Sequence, residues 1–301
     1  MMKNLLSMSD LDSTDLDIIL DTALELKALK REGMPHSFLP GRSLAMIFEK
    51  SSTRTRISFE AGMSELGGHA LFLNPNEMQL GRGEEIRDTA RVLSGYVSAI
   101  MIRSYLHSTV TEFAEHSRVP VINGLSNLEH PCQTLADIMT IRERFGDDDV
   151  KVAWIGDGNN VCNSLILASA ITDMEVSVAT PEGYAPDREI INTARKNGGK
   201  TGIAESIEEC VSGADVIYTD IWISMGDENE KDDRMRAFKG FTVTDEMLDG
   251  ASHDAVVMHC LPAHRGEEIT DSVIEGEKSI VWEQAENRLH AQKGLLVRLI
   301  K

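Results

Sequence analysis

The residues most able to do chemistry sit just after short apolar runs. The first group is Ser51-Ser52-Thr53-Arg54-Thr55-Arg56, which follows the run Leu44 to Phe48 and leads into a helical pattern. Four hydroxyls, two guanidinium groups and the unsatisfied N–H groups of a helix N-terminus form a receptor for a phosphate-like dianion. A simple Ser/Thr cap explains the hydroxyls, but not two arginines at the positive end of a helix. Arg103 follows the apolar run Ala99 to Ile102, and His130-Pro131-Cys132-Gln133 follows another such run and a loop. An arginine, an imidazole and an amide at strand ends can jointly hydrogen-bond a carbonyl oxygen and a terminal amide, as an oxyanion-type site requires. Taken singly, each of the three is as readily structural.

A second series of chemical groups lies in the other half of the chain. Gly156-Asp157-Gly158-Asn159-Asn160 opens a helix but lacks the third glycine of a dinucleotide loop, which argues against a nicotinamide cofactor and leaves an amide ligand for a small zwitterion at least as plausible. Asp220 heads Asp220-Ile221-Trp222-Ile223-Ser224-Met225-Gly226, and Cys260 lies in His259-Cys260-Leu261-Pro262. A carboxylate and a thiol at neighbouring strand ends can hold an amine and help remove its proton. The residue types leave Cys260 open between that role, a thiol nucleophile with His259 or His264 as its base, and an inert buried thiol. No C-x-x-C or H-E-x-x-H spacing supports a metal site.

The elements that must position these groups read as two α/β series. Leu16, Ile19, Leu20, Ala23 and Leu24 follow helical spacing between Ser13 and Gly33, which predicts an opening amphipathic helix. Apolar runs at 44–48, 70–73, 99–102 and 119–122 then alternate with helical patterns at about 84–97 and 109–116. Strands alternating with helices imply a parallel sheet covered on both faces. A helix over about 134–145 ends at the acidic turn 146–149, and a second alternation runs through strands at 150–155, 176–179, 216–218 and 255–258. The charged stretch 226–239 breaks the rhythm and reads as a mobile loop, and a helix over about 283–300 closes the chain. The fold class expected is α/β, with two doubly wound domains in which ligands bind at the carboxyl ends of the strands.

Composition narrows the function. The chain has 301 residues, with 30 Lys and Arg against 49 Asp and Glu for a net charge of −19, so a phosphate-backbone binder is disfavoured and no nucleic-acid partner is expected. At 42% hydrophobic residues it can bury two cores, and no apolar run reaches the length of a membrane span. Four cysteines without close pairing suit a reducing compartment. A cytoplasmic enzyme with no membrane partner is expected.

Taken in order, Ser52-Thr53-Arg54-Thr55-Arg56, His130-Pro131-Cys132-Gln133, Asp220 to Gly226 and His259-Cys260-Leu261-Pro262 resemble the aspartate/ornithine carbamoyltransferase family, on its ornithine-using side. The resemblance runs from Phe48-Glu49-Lys50 through Glu286-Asn287-Arg288. It implies a carbamoyl-phosphate domain over 1–133, an interdomain helix over 134–146, an ornithine domain over 147–284, and a final helix over 285–301 that packs back on the first domain. It implies no metal or organic cofactor, and a homotrimer or an assembly of trimers. By position, carbamoyl phosphate falls to Ser52, Thr53, Arg54, Thr55, Gln79, Arg103, His130, Gln133, Cys260, Leu261 and Arg288, and ornithine to Asn160, Asp220, Ser224 and Met225. Arg54, Arg103, His130, Asp220 and Cys260 are the catalytic set. Ser224-Met225-Gly226 looks like the ornithine-specific closing loop, and Ala263 stands where aspartate-using relatives carry an arginine. The reaction implied is direct attack of the ornithine δ-amine on carbamoyl phosphate, a step of arginine metabolism. The alternatives are a silent paralogue that binds without turnover, and a relative that uses another amine such as putrescine.

Overall fold

A computed structural model describes residues 2–223 and 228–301. In chain order the elements are α1 (Ser13–Arg31), β1 (Ser43–Phe48), α2 (Thr53–Glu65), β2 (His69–Leu73), α3 (Ile86–Leu93), β3 (Ala99–Arg103), α4 (His107–His116), β4 (Val121–Leu125) and α5 (Pro131–Phe145). There follow β5 (Lys151–Ile155), α6 (Asn160–Ala168), β6 (Glu175–Ala179), α7 (Arg188–Lys196), β7 (Lys200–Ile203), α8 (Ile207–Val211) and β8 (Val216–Thr219). The last elements are α9 (Lys231–Ala237), α10 (Asp245–Leu248), β9 (Val256–His259), α11 (Asp271–Ile274) and α12 (Val281–Ile300). Two compact units result, one of residues 1–139 with 286–301 and the other of residues 140–285, so that the divisions fall inside α5 and inside α12.

The first unit holds a four-stranded sheet of order β2-β1-β3-β4, all parallel. β1 and β3 are buried nearly end to end, as continuous apolar runs between two helical layers should be. The chain enters at β1, steps outward to β2 and returns to the far side of β1 with β3, so the carboxyl ends of β1 and β3 flank a topological switch point. At that edge β4 carries one extra residue, Gly124, opposite Ile102 and Arg103. A Cβ on Gly124 would lie 2.4 Å from Met101 Sδ and 3.2 Å from the Ile102 carbonyl, so glycine suits the bulge, which bends the end of β4.

Of the amphipathic stripe of α1, Leu16, Ile19, Leu20 and Ala23 are buried, while Leu24 is half-buried and Leu26 takes the buried place beside them; Asp12 caps the start, and Gly33 is in the left-handed conformation just past the end. The C-terminal half of α12 lies against it. A Cβ on Gly294 would meet the Ile19 carbonyl at 2.3 Å, Lys27 Nζ donates to Asn287 Oδ1 at 2.7 Å, and Arg298 pairs with Asp15. The buried Lys293 donates to Glu65 Oε2 on α2 at 2.8 Å. Burial pushes the Glu65 carboxyl up, but hydrogen bonds from Lys293 and Lys30 more than offset this and hold it below its ordinary value.

His290 on α12 is buried beside these amines, and burial, then Lys293, Lys27 and Lys30, push it down to about 3. A folded-state pKa below the unfolded one means that the unfolded chain binds the extra proton, so stability falls as pH drops below about 6.5. At pH 5 this one group should cost about 2 kcal/mol relative to pH 7.5. Urea unfolding at the two pH values checks it: His290→Leu should lose visibly less of its midpoint in acid than the parent, and equal losses would refute the assignment.

The second unit holds a five-stranded sheet of order β7-β6-β5-β8-β9, again all parallel, with its switch point between β5 and β8. Its core gathers Ile155, Ile217, Val257 and Ile269 with apolar residues of the surrounding helices. Three expectations from the sequence need correction here. β7, Lys-Thr-Gly-Ile, went unread because an edge strand this short and half exposed has no apolar run to announce it. α5 begins at Pro131, three residues before the predicted helix, because Pro is well suited to a first helical position. Within the stretch 226–239 read as a loop, residues 231–237 form α9, held by the burial of Arg234 rather than by any apolar stripe.

Candidate active site

In the first unit, Ser52 is the N-cap of α2. Its hydroxyl accepts from Thr55 N–H at 3.2 Å and lies 3.1 Å from Thr55 Oγ1, which leaves the N–H groups of the first turn facing the carboxyl edge of the sheet beside Arg54. Arg103 ends β3, buried at 6% exposure, directly across the switch point. Glu49, not singled out in the sequence, ties the two loops together. Its backbone N–H donates to the Arg103 carbonyl at 2.9 Å, and its carboxylate accepts from Ser104 Oγ at 2.5 Å and Tyr105 N–H at 2.9 Å. Such a carboxylate is hard to recognise in advance, because its partners lie 55 residues away in sequence.

His130 precedes α5, its carbonyl accepting from Gln133 N–H at 2.9 Å. Its ring is buried and held well below its ordinary pKa, first by that burial and then by the guanidinium groups of Arg288, Arg103 and Arg54. The imidazole is therefore neutral, able to donate one hydrogen bond without adding a charge to a field that is already positive. Gln133 Oε1 accepts from Arg288 at 2.6 Å, its Nε2 donates to Asp137 at 2.9 Å, and Arg288 also reaches Thr55 Oγ1 at 3.4 Å. Thr55, Arg288, Gln133 and Asp137 thus form one chain of hydrogen bonds that fixes α2, α5 and α12 to each other. Gln79 is not part of it. It is exposed in the segment after β2, with its backbone carbonyl accepting from Arg82 N–H at 2.8 Å.

In the second unit the switch point is closed by Asp220, whose carboxylate accepts from Asn159 Nδ2 at 2.7 Å and from Ile221 N–H at 2.8 Å. Asn159 is at the same time the N-cap of α6, its other amide atom accepting from Val161 and Cys162 N–H groups. This orienting role falls to Asn159, while Asn160, the residue singled out in the sequence, is the first residue of α6 and half-buried. The glycines of this turn serve different ends: Gly156 takes a φ of 139°, and a Cβ on Gly158 would lie 2.2 Å from Pro186 N. Asp157 forms a 2.8 Å ion pair with Arg234 of α9, and the same guanidinium nitrogen donates to the Trp222 carbonyl at 2.9 Å. Ser224 and Met225 lie outside the described residues.

Asp220, His259 and Cys260 bring a carboxylate oxygen, a ring nitrogen and Sγ within 4.8 Å of one another. The His259 ring is committed elsewhere: Leu261 N–H donates to Nδ1 at 2.9 Å, which places the ring proton on Nε2, where it donates to buried Glu268 at 3.0 Å. A histidine with both nitrogens so engaged cannot act as base for the neighbouring thiol. Leu261, at φ 58°, precedes a cis peptide to Pro262. The other three cysteines are buried and inert: burial pushes Cys132 up to about 12 and Cys210 up to about 11, and raises Cys162 well above its ordinary value.

Two adjoining segments match one family. The carbamoyl-P binding domain of aspartate/ornithine carbamoyltransferases matches residues 3–143, and the Asp/Orn binding domain of the same enzymes matches residues 148–299. The chain belongs to the aspartate/ornithine carbamoyltransferase family. It is 62% identical to the ornithine carbamoyltransferase of Methanoculleus marisnigri over all of this chain and 97% of that one, and 58% identical to that of Archaeoglobus fulgidus over 99% and 98%. Ornithine carbamoyltransferase from Pyrococcus furiosus superposes with a TM-score of 0.95 at 50% identity, covering 99% of this chain and 97% of that one. The two parallel α/β sheets are those of this family.

Proposed function

We propose that the chain transfers the carbamoyl group of carbamoyl phosphate to the δ-amine of L-ornithine, giving L-citrulline and phosphate. The observation that carries the reading is the neutral His130 set among Arg54, Arg103 and Arg288 at the positive end of α2, in a chain similar over its whole length to enzymes named for this reaction.

The carbamoyl phosphate dianion takes the N-terminus of α2, with Ser52, Thr53, Arg54 and Thr55 and with Arg103 across the switch point; Gln79 is assigned to the same phosphate. Arg54, Arg103 and His130 donate to the carbamoyl oxygen, where negative charge grows as the amine attacks. A protonated imidazole there would need its own counter-ion, whereas the neutral ring donates at no such cost. Gln133, whose carbonyl is committed to Arg288, presents its amide N–H groups, one of them already turned to Asp137. Asp220, with Asn160, Ser224 and Met225, takes the amino-acid end of ornithine, while Cys260 and Leu261 border the reaction centre. The amine nitrogen bonds to the carbonyl carbon, the carbon–oxygen bond to phosphate breaks, and the amine proton leaves toward the Asp220 and Cys260 side. Positioning and electrostatics supply the rate, so neither a covalent enzyme intermediate nor a cofactor is required. Ala263 packs on the apolar core of its unit and offers no cation to an aspartate side chain.

Cys260→Ala should slow turnover but leave measurable activity, because the thiol orients and accepts a proton rather than carrying the carbamoyl group. Mass spectrometry during turnover checks this, and a carbamoylated Cys260 would overturn it. Exposed apolar residues Ile57, Phe72, Tyr105 and Leu106 in the first unit offer contact surface for a homotrimer or an assembly of trimers, to be read by light scattering. No helix among the described residues is long and apolar enough to cross a membrane, in keeping with a cytoplasmic enzyme.

The deciding experiment offers ornithine, putrescine and aspartate separately with carbamoyl phosphate. Strong preference for ornithine is expected. Preference for another amine refutes the substrate assignment, and ligand-induced thermal stabilisation without turnover identifies a silent paralogue.

A further inference from the structure

Behind the loop that bears Cys260, Glu268 has a carboxylate that is fully buried yet only half used. Its Oε1 accepts from His259 Nε2 at 3.0 Å and from His264 N–H at 2.5 Å, whereas Oε2 has no hydrogen-bond partner among the described residues. A carboxyl oxygen out of water and without a donor is costly, and a cation in front of it removes that cost. The groups that face Oε2 are suited to holding one. His264 Nδ1 lies 4.0 Å from Glu268 Oε2 and 3.5 Å from Glu267 Oε2, and the three residues offer ligand atoms all within 4.8 Å of one another.

We propose that His264, Glu267 and Glu268 form a binding site for a divalent transition-metal ion of the zinc type, separate from the residues assigned to the reaction. Ligand atoms of a tetrahedral zinc ion with bonds of about 2.1 Å lie about 3.4 Å apart, so small rotations of His264 and Glu267 bring the set into register. One imidazole with two carboxylates selects zinc, cobalt or nickel over magnesium and calcium, which take oxygen alone. His264 is 48% and Glu267 32% exposed, which opens the position to solvent and leaves room for water as a fourth ligand. Glu268 stands at the closed side, its orientation set by His259. Because His259 also accepts from Leu261 N–H, occupancy of the site is linked through Glu268 to the segment that carries Cys260.

The test is titration of the metal-free full-length protein with zinc by calorimetry and with cobalt by its visible absorption. It is done on the parent, His264→Ala, Glu267→Gln and Cys260→Ser. His264 and Glu267 are surface side chains, so both variants should fold. The parent and Cys260→Ser should bind one ion per chain alike, without a thiolate-to-cobalt band, and each of the other two variants should bind at least about tenfold more weakly. Binding unchanged in both His264→Ala and Glu267→Gln overturns the proposal. So does binding lost in Cys260→Ser, which would move the ion to Asp220, His259 and Cys260, and so does the absence of saturable binding by either metal. None of these readouts depends on turnover, so the result is independent of the reaction assigned above.

Discussion

Arg54→Ala should lower kcat by at least about a thousandfold and raise the KM for carbamoyl phosphate, with a change in unfolding free energy below about 1 kcal/mol. Removing one oxyanion donor costs about 10²–10³ in kcat, and Arg54 is asked to serve both the phosphate and the developing oxyanion. It sits half-buried in the first turn of α2, where truncation removes charge rather than core packing. It also contributes to keeping His130 neutral, so its loss lets the imidazole titrate nearer its ordinary range. Steady-state kinetics with urea unfolding on the same preparation check the expectation. A fall of less than tenfold in kcat would take the phosphate clamp away from this residue.

Arg234→Ala should destabilise the protein by about 3–5 kcal/mol, the second large effect. The substitution strands the Asp157 carboxylate, only 11% exposed, without its charge partner, and breaking a buried ion pair from one side costs about that much. It also frees the Trp222 carbonyl and the face of Tyr184, over which the guanidinium lies at 5.0 Å. Arg234 links residues on either side of 224–227 to the turn after β5, so ornithine KM should rise while carbamoyl phosphate KM stays near its parent value. Removing both charges together, in Asp157→Asn with Arg234→Met, should recover most of the stability. If the single substitution costs under 1 kcal/mol, the pair is not holding α9 in place.

How far the sequence could be read is clearest at these two arginines. Arg54 was legible because local chemistry announces it: hydroxyls, a helix start and paired guanidinium groups lie within six residues. Arg234 was not, because it stands in a charge-rich stretch without apolar spacing, and its partner Asp157 is 77 residues away. The same division separates Asn160 from Asn159. Two adjacent amides after a strand are equivalent in a string of letters, and only the capping geometry of α6 shows that Asn159 holds Asp220.

Local order alone determined much of this protein. Alternating apolar runs and helical stripes specify two parallel α/β sheets, because each run must be buried on both faces and each crossover needs a helix. The placing of reactive groups just after the strands follows from that, and the ordered motifs identify the family. Tertiary structure decided the rest, wherever the deciding partner is remote in the chain. The neutrality of His130 comes first from its burial and then from three arginines drawn from α12, β3 and α2, and the engagement of both His259 nitrogens removes it as a base for Cys260. Glu49, Glu268 and the bulge at Gly124 belong to the same class. Hydrogen bonds and charges act over a few ångströms of space, and a sequence records such distances only between near neighbours.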